Sequence, residues 1–246
     1  MPSRAMDASE AVVLVPGLWM PGASLSLLAR RLSRCGYRCR VWTYSSTLRS
    51  PEQNARRLAE QVRILPAARV HFVGHSLGGL LIRQLFHDFP DQRPGRVVTL
   101  GSPHAGSAVA ERLIRDRRWL AWAFGRSVPG LTGAVPPWEA AQPMGVIAGN
   151  RNVGLGCLFA PLPRPHDGTV AVAETRHAGA SEHLVLPVSH FSMLWSREVA
   201  RQTCAFLRHG RFESGHAAAR TGESGVMRRA GEQEQRRRDR GITDSD

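Results

Sequence analysis

One stretch constrains this chain more than any other: Val70-His71-Phe72-Val73-Gly74-His75-Ser76-Leu77-Gly78-Gly79. Val70 to Val73 is β-branched and aromatic and reads as a strand. Leu77, Leu80, Leu81, Leu85 and Phe89 then recur at helical spacing, and Pro90 is a stop signal. Between them the letters match G-x-S-x-G, a turn in which the serine takes a strained backbone conformation and projects its hydroxyl from the top of a parallel sheet. Gly74 and Gly78 fit that turn because a side chain at either place would crowd the nearly touching strand and helix. An incidental serine in a glycine-rich turn would match the same five letters, but would not need a strand before it and a helix after it.

The rest of the chain repeats the strand and helix alternation. Ala11 to Val15 is a continuous apolar run, as expected of a parallel strand buried on both faces. Leu25, Leu28, Ala29 and Leu32 form a helical stripe with Arg30, Arg31 and Arg34 outside it, and Gly36 closes that helix. Further strands read at 40–44, 70–75, 96–100, 144–148 and 183–186. Ser50, Pro51 and Gln53 make a capping box for a helix stopped by Pro66. A last helix is expected from Phe191 to Phe206. The fold class is therefore α/β, a mostly parallel central sheet with helices on both faces and right-handed crossovers. The segment 105–142, with Trp119, Trp122, Phe124 and Trp138, is too long for an ordinary connection and reads either as a small cap insertion or as a peripheral excursion. The expected organisation is an extension over 1–10, one domain over 11–210 and a disordered tail over 211–246, where aromatics nearly vanish.

Charge and cysteines narrow the function classes. The net charge is +13 and the basic residues are all arginine, with +12 remaining when the tail is left out. Spread arginine makes a solvated surface, and no nucleic-acid fold signature accompanies it. No nucleic-acid partner is expected, and membrane contact is at most peripheral. No apolar run reaches 18 residues, and Ala11 to Val15 is too short for a signal-peptide core, so the expected location is cytoplasmic. Cys35, Cys39, Cys157 and Cys204 form no metal-like set and are expected to be reduced, inert thiols.

A serine hydroxyl is a poor nucleophile until a neutral imidazole takes its proton, and the imidazole needs a carboxylate to fix its tautomer. His190 stands in the short loop between the last strand and the closing helix, with His177 and His183 as rivals. Asp167 stands in His166-Asp167-Gly168-Thr169-Val170, with Glu174 as rival. His71, His87, His209 and His216 read as structural or solvent-exposed. His75 flanks the serine with a side chain pointing elsewhere, and His104 reads as a loop-packing residue near the site. The oxyanion of an acyl transfer needs two N–H donors. Leu77, after the serine, supplies one. Leu18, made approachable by Gly17, is the candidate for the other, against a merely structural turn. Trp19, Trp119, Trp122 and Phe124 are the candidate substrate-binding aromatics.

Gly74-His75-Ser76-Leu77-Gly78-Gly79, Gly101-Ser102-Pro103-His104-Ala105-Gly106-Ser107, Asp167-Gly168-Thr169-Val170 and Ser189-His190 together resemble the α/β-hydrolase superfamily over about residues 11 to 208. Within it, the G-[ST]-P-H-x-G-[ST] loop is similar to bacterial lipases and esterases and to the lipase-like GPI inositol deacylase group. Pro16 departs from that family's usual first loop, which reads His-Gly. The resemblance implies Ser-Asp-His hydrolysis of a small-molecule acyl ester, lipid-like in part, with no cofactor and no metal. Acyl transfer or thioester hydrolysis would use the same residues. A non-catalytic binding protein of the same fold is the alternative from another class.

Overall fold

The computed structural model describes residues 10–116, 125–127, 131–132, 135–154 and 162–213. Among them, six strands form one parallel sheet in the order β2-β1-β3-β4-β5-β6: β1 (Glu10–Val15), β2 (Arg38–Val41), β3 (Arg69–His75), β4 (Val97–Leu100), β5 (Met144–Gly149) and β6 (Glu182–Leu186). The alternation of side chains along β1 shows why the run is apolar throughout. Val12 and Leu14 enter a core shared with α1 (Ser26–Arg34) and α5 (Arg197–His209). Val13 and Val15 enter the opposite core, shared with α2 (Pro51–Arg63) and α3 (Leu77–Asp88). Helices thus cover both faces, as a parallel sheet requires. The Ser50–Gln53 capping box forms in both directions at the start of α2.

The strand order reverses at β1, and β1 pairs with β3 so that Val15 stands opposite Gly74. In open α/β sheets, ligands bind beyond the carboxyl ends of the strands at such a switch point. The turn after β1 and the turn after β3 both open there.

Several local expectations are corrected. The second strand ends at Val41, not Tyr44: Trp42 still donates to Leu14 O, but Tyr44 then turns away to donate its hydroxyl to Pro16 O at 3.1 Å, stacked on Trp42. The closing helix begins at Arg197 rather than Phe191, because Ser196 accepts from Val199 N and caps it. Phe191 and Trp195 are left exposed, while Val199 and Phe206 face the core. Arg211 to Glu213 belong with the residues before them. Phe212 packs 4.9 Å from the Phe206 ring, and its N–H donates to Glu182 at 2.6 Å. Residues from Ser214 onward lie outside those described, as do 1–9.

The cysteines are the largest correction. Cys35, at the end of α1, and Cys204, on α5, are joined in a disulfide across 169 residues of sequence. The two helices pack side by side on one sheet face, which brings the cysteines to a Cα separation of 6.5 Å. Cys39 carries a free thiol, and burial raises its pKa. Cys157 lies outside the described residues.

Candidate active site

Ser76 sits between the last residue of β3 and the first of α3 with φ 52° and ψ −124°, a conformation that a non-glycine residue adopts only when its surroundings force it. The surroundings are visible in the glycines. A Cβ on Gly74 would lie 2.5 Å from Gly79 N, and one on Gly78 would lie 2.2 Å from Val15 O. The strand and helix are pressed together, and α3 passes directly beneath the end of β1. Only glycine permits either approach.

The same closeness brings the turn after β1 to the serine. A Cβ on Gly17 would stand 3.1 Å from Ser76 Cβ. That turn is closed by Met20 N donating to Gly17 O, with Trp19 at φ 57°. It is anchored by the half-buried Tyr44, whose hydroxyl donates to Pro16 O and whose pKa is raised by burial of that hydroxyl. Leu18 and Leu77 meet in one apolar cluster with Leu80, Ala110, Leu113, Ile114, Leu131 and Val135. Tyr44 is absent from the sequence-level site because its role depends on the end of β1 lying beside it.

The loops after β5 and β6 carry Asp167 and His190. Asp167 Oδ1 accepts from Thr169 N at 2.9 Å and Val170 N at 2.7 Å, a turn in which the side chain binds its own backbone. Gly168, at φ +96°, makes the turn possible. That leaves Oδ2 to accept from His190 Nδ1–H at 2.7 Å, both groups buried. His190 N–H also donates to Asp167 O at 2.9 Å. A Cβ on Gly101, which follows β4, would stand 3.0 Å from Asp167 Oδ2 and 3.1 Å from His190 Nδ1. A side chain there would invade the pair.

The rivals are occupied elsewhere. Glu174 accepts from Ala171 N and from Ala108 N, each at 2.7 Å, and so caps α4 (Ala108–Asp116), the first helix of the insertion; burial raises its pKa. His183 Nε2 pairs with Thr175 Oγ1 at 2.8 Å, and burial lowers its pKa to about 4. His177 accepts from Gly179 N. His104 is held between Thr99 Oγ1 and Arg83, which donates to its ring and its carbonyl, and burial keeps it neutral well below its ordinary pKa. Of the candidate substrate-binding aromatics, Trp19 is exposed beside the serine turn, while Trp119, Trp122 and Phe124 lie outside the described residues. The insertion's described contribution to this region is aliphatic: Leu113, Ile114, Leu131 and Val135. Among the described residues, no group of His, Cys, Asp and Glu is placed to hold a metal ion.

A family model described as a domain of unknown function, DUF7379, matches residues 21–122. No curated protein matches the chain in sequence. The solved structures of similar shape include the mature form of the Bacillus licheniformis lipase BlEst2, 21% identical, covering 85% of this chain and 95% of that one at a TM-score of 0.67. The metagenomic carboxyl esterase MGS0156 is 20% identical, with 77% and 67% coverage and a TM-score of 0.66. The RedJ thioesterase from the prodiginine pathway of Streptomyces coelicolor is 17% identical, with 84% and 88% coverage and a TM-score of 0.52. These likenesses, with the parallel sheet, establish the α/β-hydrolase fold.

Proposed function

We propose that this α/β-hydrolase-fold chain is a serine hydrolase that cleaves a small-molecule carboxylic ester through an acyl-enzyme. The observation that carries the reading is the 2.7 Å His190 Nδ1–H to Asp167 Oδ2 bond, in loops that reach the elbow at His75, next to Ser76 in its strained conformation. In this reading Ser76 Oγ attacks the acyl carbonyl and its proton passes to His190 Nε2. Asp167 keeps the other proton on Nδ1 and stabilises the imidazolium. The oxyanion is received by the N–H groups of Leu77, at the positive N-terminus of α3, and Leu18. The alcohol leaves with the proton from His190. Water, deprotonated by the same imidazole, then releases the acid.

The aliphatic cluster that holds Leu77 and Leu18 supports an apolar acyl group, and the exposed Trp19 follows Leu18 in the same turn. The Cys35–Cys204 bond favours an oxidising compartment over the cytoplasm expected from sequence. The test is labelling by a fluorophosphonate probe, located to Ser76 by peptide mapping, followed by a panel of oxyesters and thioesters from acetyl to octanoyl. Absence of labelling at Ser76 together with no turnover across the panel would overturn the reading.

A further inference from the structure

His75 precedes the candidate nucleophile and is fully buried, yet the chemistry proposed above gives it no task. Its Nε2 lies 2.9 Å from the main-chain carbonyl oxygen of His190, and the two imidazole rings are 4.7 Å apart. A carbonyl only accepts, so Nε2 carries the proton and donates it. Nδ1 is then a bare lone pair, and it is buried without a hydrogen-bond partner, 3.2 Å from where a Cβ on Gly17 would stand.

We infer that His75 is a positioning residue: its Nε2–H holds the His190 carbonyl, so that the nucleophile's own neighbour sets where the general base stands. The inference rests on the hydrolase reading for its catalytic consequence, though not for its geometry. His190 has two main-chain polar groups, and each is engaged: the N–H by Asp167 O and the carbonyl by His75. With Nδ1–H bound to Asp167 Oδ2, three hydrogen bonds fix the residue, and only the one from His75 comes from the elbow. Because residues 75 and 76 share a peptide bond, this contact ties the His190 loop to Ser76 directly. An orphaned buried nitrogen costs stability that an apolar side chain of similar size would not. Nε2 is the part of this ring that can offset that cost.

The same arrangement keeps the donor present. The titratable groups facing His75 are His190, which disfavours a second positive charge, and Asp167, which favours it. Burial, reinforced by His190, outweighs Asp167 and the hydrogen bond to the His190 carbonyl and lowers the pKa of His75 to about 3. His75 therefore stays neutral, with its proton on Nε2, across the range in which His190 would act.

The experiment compares His75→Gln, whose amide N–H reaches the position of Nε2, with His75→Leu, which fills the space and donates nothing. Two readouts are needed: steady-state kinetics across pH, and the low-field NMR resonance of the His190 Nδ1–H. We expect His75→Leu to lose about 10- to 100-fold in kcat, the scale of a misplaced reacting group, with KM little changed. We also expect its low-field resonance to broaden or vanish and the acid limb of its kcat/KM profile to move. His75→Gln should recover most of kcat and the resonance, with both variants melting near wild type. Wild-type kcat and resonance in His75→Leu would overturn the inference. So would equal loss in both variants in step with a fall in melting temperature, since that is a packing defect. If wild-type protein neither labels nor turns over, the hydrolase reading fails by itself, and the resonance in the two variants alone decides whether His75 positions His190.

Discussion

A single backbone conformation concentrates the chemistry. Ser76 stands at φ 52° because Gly74, Gly78 and Gly17 let two chain segments close around it, and no other serine among the described residues has positive φ. Ser76→Ala should therefore fold normally and lose about 10⁴- to 10⁶-fold in kcat, measured on rigorously purified protein. Asp167→Asn should reduce kcat by about 10⁴-fold with little change in KM, because an amide favours the wrong imidazole tautomer. Glu174→Gln should stay within a few-fold in kcat, since Glu174 binds backbone N–H groups of the insertion instead of an imidazole. A reversal of the two results would make Glu174 the acid. The buried histidines also set a pH dependence of stability. Burial lowers His75 to about 3 and His71 and His183 to about 4 from the ordinary 6.5, and lowers His104 as well. Below pH 6.5 the unfolded chain takes up protons that the folded chain refuses. Stability is thus lost as pH falls from 6.5 toward 4, by at most about 1.4 kcal/mol per pH unit for each histidine. Urea midpoints at pH 7, 6 and 5 should fall progressively, and less steeply in His75→Gln.

At the scale of elements, legibility followed range. The strands and the caps of α2 are written in local periodicity, and so is the elbow, since strand, glycines and helix are contiguous. Asp167 and His190 could be picked out as loop residues after late strands, but the bond between them depends on Gly101 and Gly168 letting two loops meet. His75 and Tyr44 were not legible as site residues, because each acts on a main-chain carbonyl far away in sequence. The closing helix was misjudged because the apolar spacing from Phe191 continues through Trp195, whereas the Ser196 cap breaks it and turns both aromatics outward. Phe212 was misjudged for the opposite reason. One aromatic in a polar stretch carries no periodicity, yet it finds Phe206 and the space over Gly145. Phe212→Ala should cost about 1 to 2 kcal/mol, the worth of a partly buried aromatic, and lower the melting temperature by several degrees. A chain ending at Gly210 should show the same loss. Unchanged melting in both would mean that Phe212 contributes no packing energy.

At the largest scale, the Cys35–Cys204 bond joins the early and late parts of the described fold. Cys35 ends α1, between β1 and β2 in the chain, and Cys204 lies on α5, the last helix among the described residues. The bond closes a loop that includes most of the described fold, so it removes unfolded-state freedom on the scale of the entire domain. Chain-entropy reasoning for so long a loop gives about 5 kcal/mol, and measured disulfides more often give about 2 to 4. The reduced protein should consequently melt roughly 5 to 15 °C lower than the oxidised protein. α5 follows directly on the loop that carries His190, so loosening α5 should also slow ester turnover near the melting transition before the sheet itself opens. The variant Cys35→Ser/Cys204→Ser should melt like the reduced protein and be indifferent to reductant. Thiol titration of denatured protein should give two thiols fewer before reduction than after. Equal thiol counts in protein purified without reductant would show that the cysteines are not paired.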